Sequence, residues 1–279
     1  MFHTEIDYTK TILQTTFGGI MEFRYIKTYR KGKIGWIQFN RNEKLNALNP
    51  DVFRDIEAAI TEYEEDDSIS VVILKGNQNV FVAGADIDHL ASINVKEAYA
   101  LTDLSLRVQE RLSDLAKPTI ASIAGYALGG GCEIALCCDF RIVAENAIFG
   151  QPEIKLGLIP GGGGTQRLSR LIGIGQATRI IFLGEMIKAD EAERMGLVNK
   201  MVPVDQLDAE TEALASKLIQ MPVIALRAAK VAIRKGLNTS LKDGLQIEQD
   251  LFAMLFGTED RKEGLFAFIE KRKPIFKGI

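Results

Sequence analysis

No stretch of this chain approaches the roughly 20 consecutive apolar residues that a membrane-spanning helix needs. Histidine is nearly missing: His3 and His89 are the only two. The three cysteines, Cys132, Cys137 and Cys138, form no C-x-x-C pair and have no histidine near them in sequence, which leaves too few donors for a metal site. Clustered in an apolar segment, they read as reduced, buried thiols of a reducing compartment, and localisation is expected to be cytoplasmic. A serine hydrolase is disfavoured, since there is no G-x-S-x-G and no suitable histidine base. No G-x-x-x-x-G-K-[ST] loop occurs, and the run from Gly173 to Thr178 puts threonine where a dinucleotide fold needs its third glycine. Charge of one sign is lacking too. With 34 basic and 37 acidic residues the net charge is −3, so neither nucleic acid nor an anionic membrane is an expected partner. Residues 1–20 contain no arginine and no signal-like apolar block, which disfavours secretion and organelle import. They read as an extension before Met21, whose origin the sequence does not fix.

What is present is an ordinary globular composition, 47% hydrophobic and 25% charged, on 279 residues, enough for one large core. Runs at 34–39, 71–74, 119–123 and 140–143 read as strands, several apolar throughout as if covered on both faces. Asn49-Pro50 offers an N-cap and a first-turn proline, after which Val52, Ile56, Ile60 and Tyr63 recur at helical spacing. A second helix is predicted over about 101–115, ending before Pro118. This alternation predicts an α/β fold. Residues 205–220, 222–235, 241–256 and 259–272 read as helices. The chain therefore divides into an α/β core over 21–204 and a helical region over 205–279. The apolar content of that region, including Leu245, Phe252, Phe256, Phe266 and Phe268, suggests packing onto a partner subunit.

Two glutamates have the surroundings of an acid–base pair. Glu133 follows Gly129-Gly130-Gly131, where a helix starting near Gly130 would aim free amides at an anionic oxygen. Glu153 follows Gln151-Pro152. The loop Ala83-Gly84-Ala85-Asp86, at a strand exit, is small enough for a carbonyl to approach its backbone. Each segment also has an ordinary reading: a closely packed glycine-lined helix with Glu133 solvated, a turn capped by Asp86, and a surface turn at Glu153. The four glycines Gly161–Gly164 before a helix are costly in chain entropy and suggest a crowded or mobile wall.

Together, Asn46-Ala47-Leu48, Ala83–Asp86, Gly125–Glu133, Phe149–Glu153, Pro160–Leu168 and Phe268–Arg272 resemble the crotonase (enoyl-CoA hydratase/isomerase) family over about residues 22–279. The resemblance implies a spiral of repeated ββα units, a C-terminal helical trimerisation region and an acyl-CoA thioester as substrate. It implies an oxyanion hole from the backbone N–H groups of Ala85 and Gly130, and substrate-binding positions at Ala83, Asp86 and Ile87. Phe268 and Lys271 match positions that contact the adenine end of coenzyme A in a neighbouring subunit. Glu133 and Glu153 are the implied catalytic pair, with no metal or redox cofactor, in a trimer or a dimer of trimers.

Because both acids are present, the resemblance favours hydration of a trans-2-enoyl-CoA to a 3-hydroxyacyl-CoA. The nearest alternative is an isomerase that moves the double bond, a branch of the family that typically keeps one of the acids. An RNA-binding or non-catalytic homologue is the non-enzymatic alternative, and Lys271-Arg272-Lys273 is too short a basic run to support it.

Overall fold

The computed structural model describes residues 23–279, and the extension read at residues 1–20 lies outside them. Among the described residues ten strands form two sheets: β1 Ile26–Lys31, β2 Ile34–Phe39, β3 Val71–Lys75, β4 Val80–Val82, β5 Thr119–Ile123, β6 Tyr126–Leu128, β7 Phe140–Ala144, β8 Ile148–Gly150, β9 Met186–Lys188 and β10 Lys200–Val202. The larger sheet has the order β1-β2-β3-β5-β7-β10 and the smaller one β4-β6-β8-β9. Pairing is parallel except for β1–β2 and β8–β9. The pattern is a repeat in space. Each of β3, β5 and β7 joins the large sheet, and the next strand, β4, β6 or β8, joins the small one.

Eleven helices are described: α1 Pro50–Glu65, α2 Ile87–Ser92, α3 Val95–Asp114, α4 Gly130–Cys137, α5 Gly164–Ile172, α6 Ile174–Leu183, α7 Ala189–Arg194, α8 Leu207–Ile219, α9 Val223–Gly236, α10 Leu241–Leu255 and α11 Glu259–Ile269. The start of α1 follows its sequence, with the Asn49 side chain accepting from the Val52 N–H at 2.9 Å and Pro50 in the first turn. α3 begins six residues earlier than predicted because Asn94 and Glu97 form a capping box.

The large sheet is apolar on both faces, as expected. Val72, Leu74, Ala121, Ile123 and Val143 join Val52, Ile56, Ile60, Val108 and Leu112 of α1 and α3 in the main core. The alternate residues Val71, Ile73, Ile120 and Ile142 face a second core with Trp36 and with Leu207 and Ala215 of α8. Thus α8, assigned to the helical tail on sequence, covers the outer face of the sheet. Thr211 Oγ1 lies 3.1 Å from Ser122 Oγ. Beyond it, α9 is tied to the core by Lys230 and Arg234, which donate to Asp139 at 2.8 and 3.0 Å. α10 folds back along α9, and a Cβ on Gly244 would stand 3.3 Å from Gly236 Cα. The tail leaves Leu241, Leu245, Phe252 and Phe266 more than half exposed in the single chain.

Candidate active site

Strands β4, β6 and β8 lie side by side and parallel, so the segments leaving their C-terminal ends emerge together. Those segments are Ala83–Asp86, Gly129–Glu133 and Gln151–Glu153. The C-terminal edge of a parallel sheet is where such folds bind ligands, because the chain there is free of ladder bonds.

The Ala83–Asp86 loop is clamped by the segment that precedes α1. Leu48 N–H donates to Gly84 O and Asp86 N–H to Leu48 O, both at 2.8 Å, while Ala83 N–H donates to Leu45 O at 3.1 Å. The amide of Ala85, between those two bonds to Leu48, therefore points to the opposite side. Behind the clamp, Asn46 adopts a positive φ of 58°, accepts from Arg41 N–H at 2.9 Å and donates to Phe81 O at 2.9 Å. Asp86, expected to bind substrate, does not offer its side chain to a ligand. Its carboxylate caps α2 through Asp88 N–H at 3.2 Å and pairs with buried Arg41 at 2.6 Å. Its N–H and C=O are also taken, the latter by Leu90 N–H. The reason is N-cap chemistry combined with a buried guanidinium, which leaves Asp86 a supporting role. Ile87, half exposed, and Ala83 remain open at the loop.

Opposite this loop, Gly129 takes φ 50° and ψ −122° and starts α4 at Gly130. A Cβ on Gly129 would stand 3.7 Å from Gly84 Cα and 2.7 Å from Glu153 Oε1, and one on Gly130 would stand 2.8 Å from Leu48 Cδ1. At Gly129, with its positive φ, glycine is what lets these segments meet. Among the described residues, neither the Ala85 nor the Gly130 N–H donates within the chain. Two free amides thus flank one opening.

The acids differ in their surroundings. Glu133 is 3% exposed, which overturns the solvated reading. Its Oε1 accepts from the N–H groups of Gly162 and Gly164, each at 2.8 Å, so the four-glycine run is a cradle for this carboxyl. Oε2 accepts no hydrogen bond among the described residues and lies 4.0 Å from a Cβ built on Gly130. Burial raises the pKa of Glu133, opposed by the Gly164 and Gly162 amides and then by the Arg167 charge. Glu153 sits in a 3₁₀ turn, Pro152–Leu156. Burial pushes its pKa up to about 7, against its own backbone N–H, and the charge of Glu133 adds to the rise. Fully buried Gln151, with its amide nitrogen turned to Glu153, donates to Oε1 at 3.1 Å and Oε2 at 3.3 Å. Cys132, adjacent to Glu133, is kept neutral by burial, its thiol pushed up to about 12.

The geometry therefore unites Glu133, Glu153, Ala85 and Gly130. Phe268, 84% exposed, and exposed Lys271 are on or just past α11, which has no extensive packing on the elements that carry the glutamates. Gln109, Gln151 and Arg167 were not singled out on sequence. Gln151 and Arg167 lie inside motifs already marked, whereas Gln109 sits mid-helix with no signal of its own.

The sequence profile described as enoyl-CoA hydratase/isomerase matches residues 29–279. The chain is 44% identical over 254 residues to the short-chain-enoyl-CoA hydratase of Clostridium acetobutylicum, covering 91% of this chain and 97% of that protein. It is 42% identical to the crotonyl-CoA hydratase of Syntrophomonas wolfei, covering 92% and 99%. A crystal structure of enoyl-CoA hydratase from Bacillus anthracis superposes with a TM-score of 0.87 at 40% identity, covering 92% of this chain and all of that one.

Proposed function

The chain belongs to the enoyl-CoA hydratase/isomerase family, and from that premise we propose that it is an enoyl-CoA hydratase that adds water across the C2=C3 bond of a trans-2-enoyl-CoA. The observation that carries this reading is the pair of carboxyls, Glu133 buried and Glu153 half-buried, beside two free amides. The thioester oxygen fits between the Ala85 and Gly130 N–H groups, which stabilise the enolate-like charge that develops there. Ionised Glu133 takes a proton from water as the water oxygen bonds to C3. Protonated Glu153 gives its proton to C2. One water is consumed, and the two carboxyls exchange their protons with solvent before the next turnover. These steps need no cofactor beyond the coenzyme A of the substrate. An isomerase needs no attacking water and can work with one acid, so the second carboxyl, Glu153, favours hydration. Crotonyl-CoA should lose its conjugated-thioester absorbance when the protein is added. If neither crotonyl-CoA nor longer enoyl-CoAs were hydrated, the reading would fail and the isomerase would be tested next with a 3-enoyl-CoA.

The exposed apolar faces of α10 and α11 support a trimer or dimer of trimers. In that assembly Phe268 covers the adenine ring of a substrate bound to a neighbouring subunit, and Lys271 meets a phosphate. Buried reduced cysteines accord with cytoplasmic residence. Light scattering should give the mass of three or six chains. Lys271→Ala should raise KM for crotonyl-CoA, more strongly at low salt, with kcat nearly unchanged and no effect on a pantetheine thioester. A monomer, or equal damage with both substrates, would remove the cross-subunit contact.

A further inference from the structure

The amide cradle of Glu133 does not stand alone. The Gly162 carbonyl accepts from Arg167 Nη1 at 2.8 Å, and the same nitrogen is 3.4 Å from Gln109 Oε1. Gln109 is fully buried and fixed from α3, donating to Ser105 Oγ at 2.9 Å and accepting from the Cys137 thiol at 3.3 Å. The fit is close. A Cβ on Gly163, whose φ is +101°, would stand 2.1 Å from Arg167 Nη1, and one on Gly162 would stand 2.3 Å from Gln109 Nε2 and 2.5 Å from Glu133 Oε2. Half-buried Arg167 pairs with no carboxylate among the described residues; its guanidinium goes to the Gly162 carbonyl and Gln109 Oε1 instead. The guanidinium is thus committed to the glycine loop, within the field of Glu133.

We propose that Arg167, braced by Gln109, is the positioning residue of the general base. It holds the Gly162–Gly164 turn so that both amides stay on Glu133 Oε1 and Oε2 stays free for the attacking water. This rests on the hydratase reading for its catalytic consequence but not for its geometry. The groups facing Glu133 define the electrostatics. α5 contributes the Arg167 cation, the turn after β8 contributes Glu153, and α4 itself contributes the neutral thiols Cys132 and Cys137. α3 contributes only neutral Ser105 and Gln109. Arg167 is thus the cation whose charge favours ionised Glu133.

The test uses Arg167→Met, which keeps bulk without charge, and Arg167→Lys, which restores a cation that can reach the carbonyl. A misplacement of about 1 Å at a reacting group costs roughly 100-fold. Arg167→Met should therefore lower kcat for crotonyl-CoA by about 10- to 100-fold, with KM within about twofold. Because a lost opposite charge raises a carboxyl pKa, the acid limb of the kcat–pH profile should move up by roughly one unit. Lysine should recover most of both effects. Independently of turnover, the infrared carboxyl band that disappears in Glu133→Gln should titrate at higher pH in Arg167→Met than in wild type. An unmoved band, or a rate loss with an unchanged pH profile, would make Arg167 merely structural. A wild-type chain that hydrated no enoyl-CoA would refute the hydratase reading, while the band would still decide the role of Arg167.

Discussion

Glu133→Gln and Glu153→Gln are each expected to lower kcat for crotonyl-CoA hydration by about 100- to 10,000-fold, the usual worth of a general acid or base. Folding should survive both changes. The amide oxygen that Glu133→Gln introduces can still accept from Gly162 and Gly164, and Glu153→Gln replaces a carboxyl that burial already drives toward its neutral form. What each variant loses is a proton site. The double variant should be little worse than either single one, since the two groups act in one step. The pH dependence has a definite sign. Glu153 must be protonated to serve C2, so with its pKa near 7 the hydration kcat falls as pH rises through about 7. Glu133 must be ionised to take a proton from water, so the rate falls again as pH drops below its raised pKa. Two acids in one opening titrate as a pair, and the limbs of the bell report the pair. A stopped-flow profile from pH 5 to 9 checks this. Near-normal hydration by either variant would end that residue's catalytic assignment.

The parts legible in sequence were those with length or chemistry to declare them. Strands β2, β3, β5 and β7 are five or six residues long, mostly apolar and buried on both faces, and α1 carries its cap and its period openly. Strands β4, β6 and β8, which aim the site, have three residues each and show no period to read. Only the glycines and acids at their ends betrayed them. The helical reading of 205–220 was sound in type but not in placement. Whether α8 covers a sheet or extends from it depends on Val71, Ile73 and Ile120, which lie far away in sequence. The same holds for Asp86. An acid beside a small-residue loop reads as a ligand group until Arg41, forty-five residues earlier, is found buried against it. Glu133 and Glu153 were legible as a pair, but their unequal environments come from Gly162, Gly164 and Gln151 and needed the packed structure.

Gly130→Pro is expected to reduce hydration by about 100- to 1,000-fold, the cost of removing one oxyanion donor. Proline suits the first position of a helix, where its missing N–H breaks no helical bond, so α4 should still form. The residue before it, Gly129, lies outside the helix with φ 50°. The substitution also adds a Cβ that would stand 2.8 Å from Leu48 Cδ1, the mobile end of a side chain, and it puts the ring Cδ where the amide hydrogen was. Gly130→Ala controls for that contact, because it adds the same Cβ and keeps the N–H. The two variants should therefore have similar Tm values, while alanine retains most of the turnover and proline loses it. If alanine and proline were equally inactive, crowding at Leu48 would explain the loss and the amide would have no demonstrated part. If proline stayed active, the thioester oxygen would have to rest on some group other than Gly130, and the placement of both acids around it would have to be rebuilt.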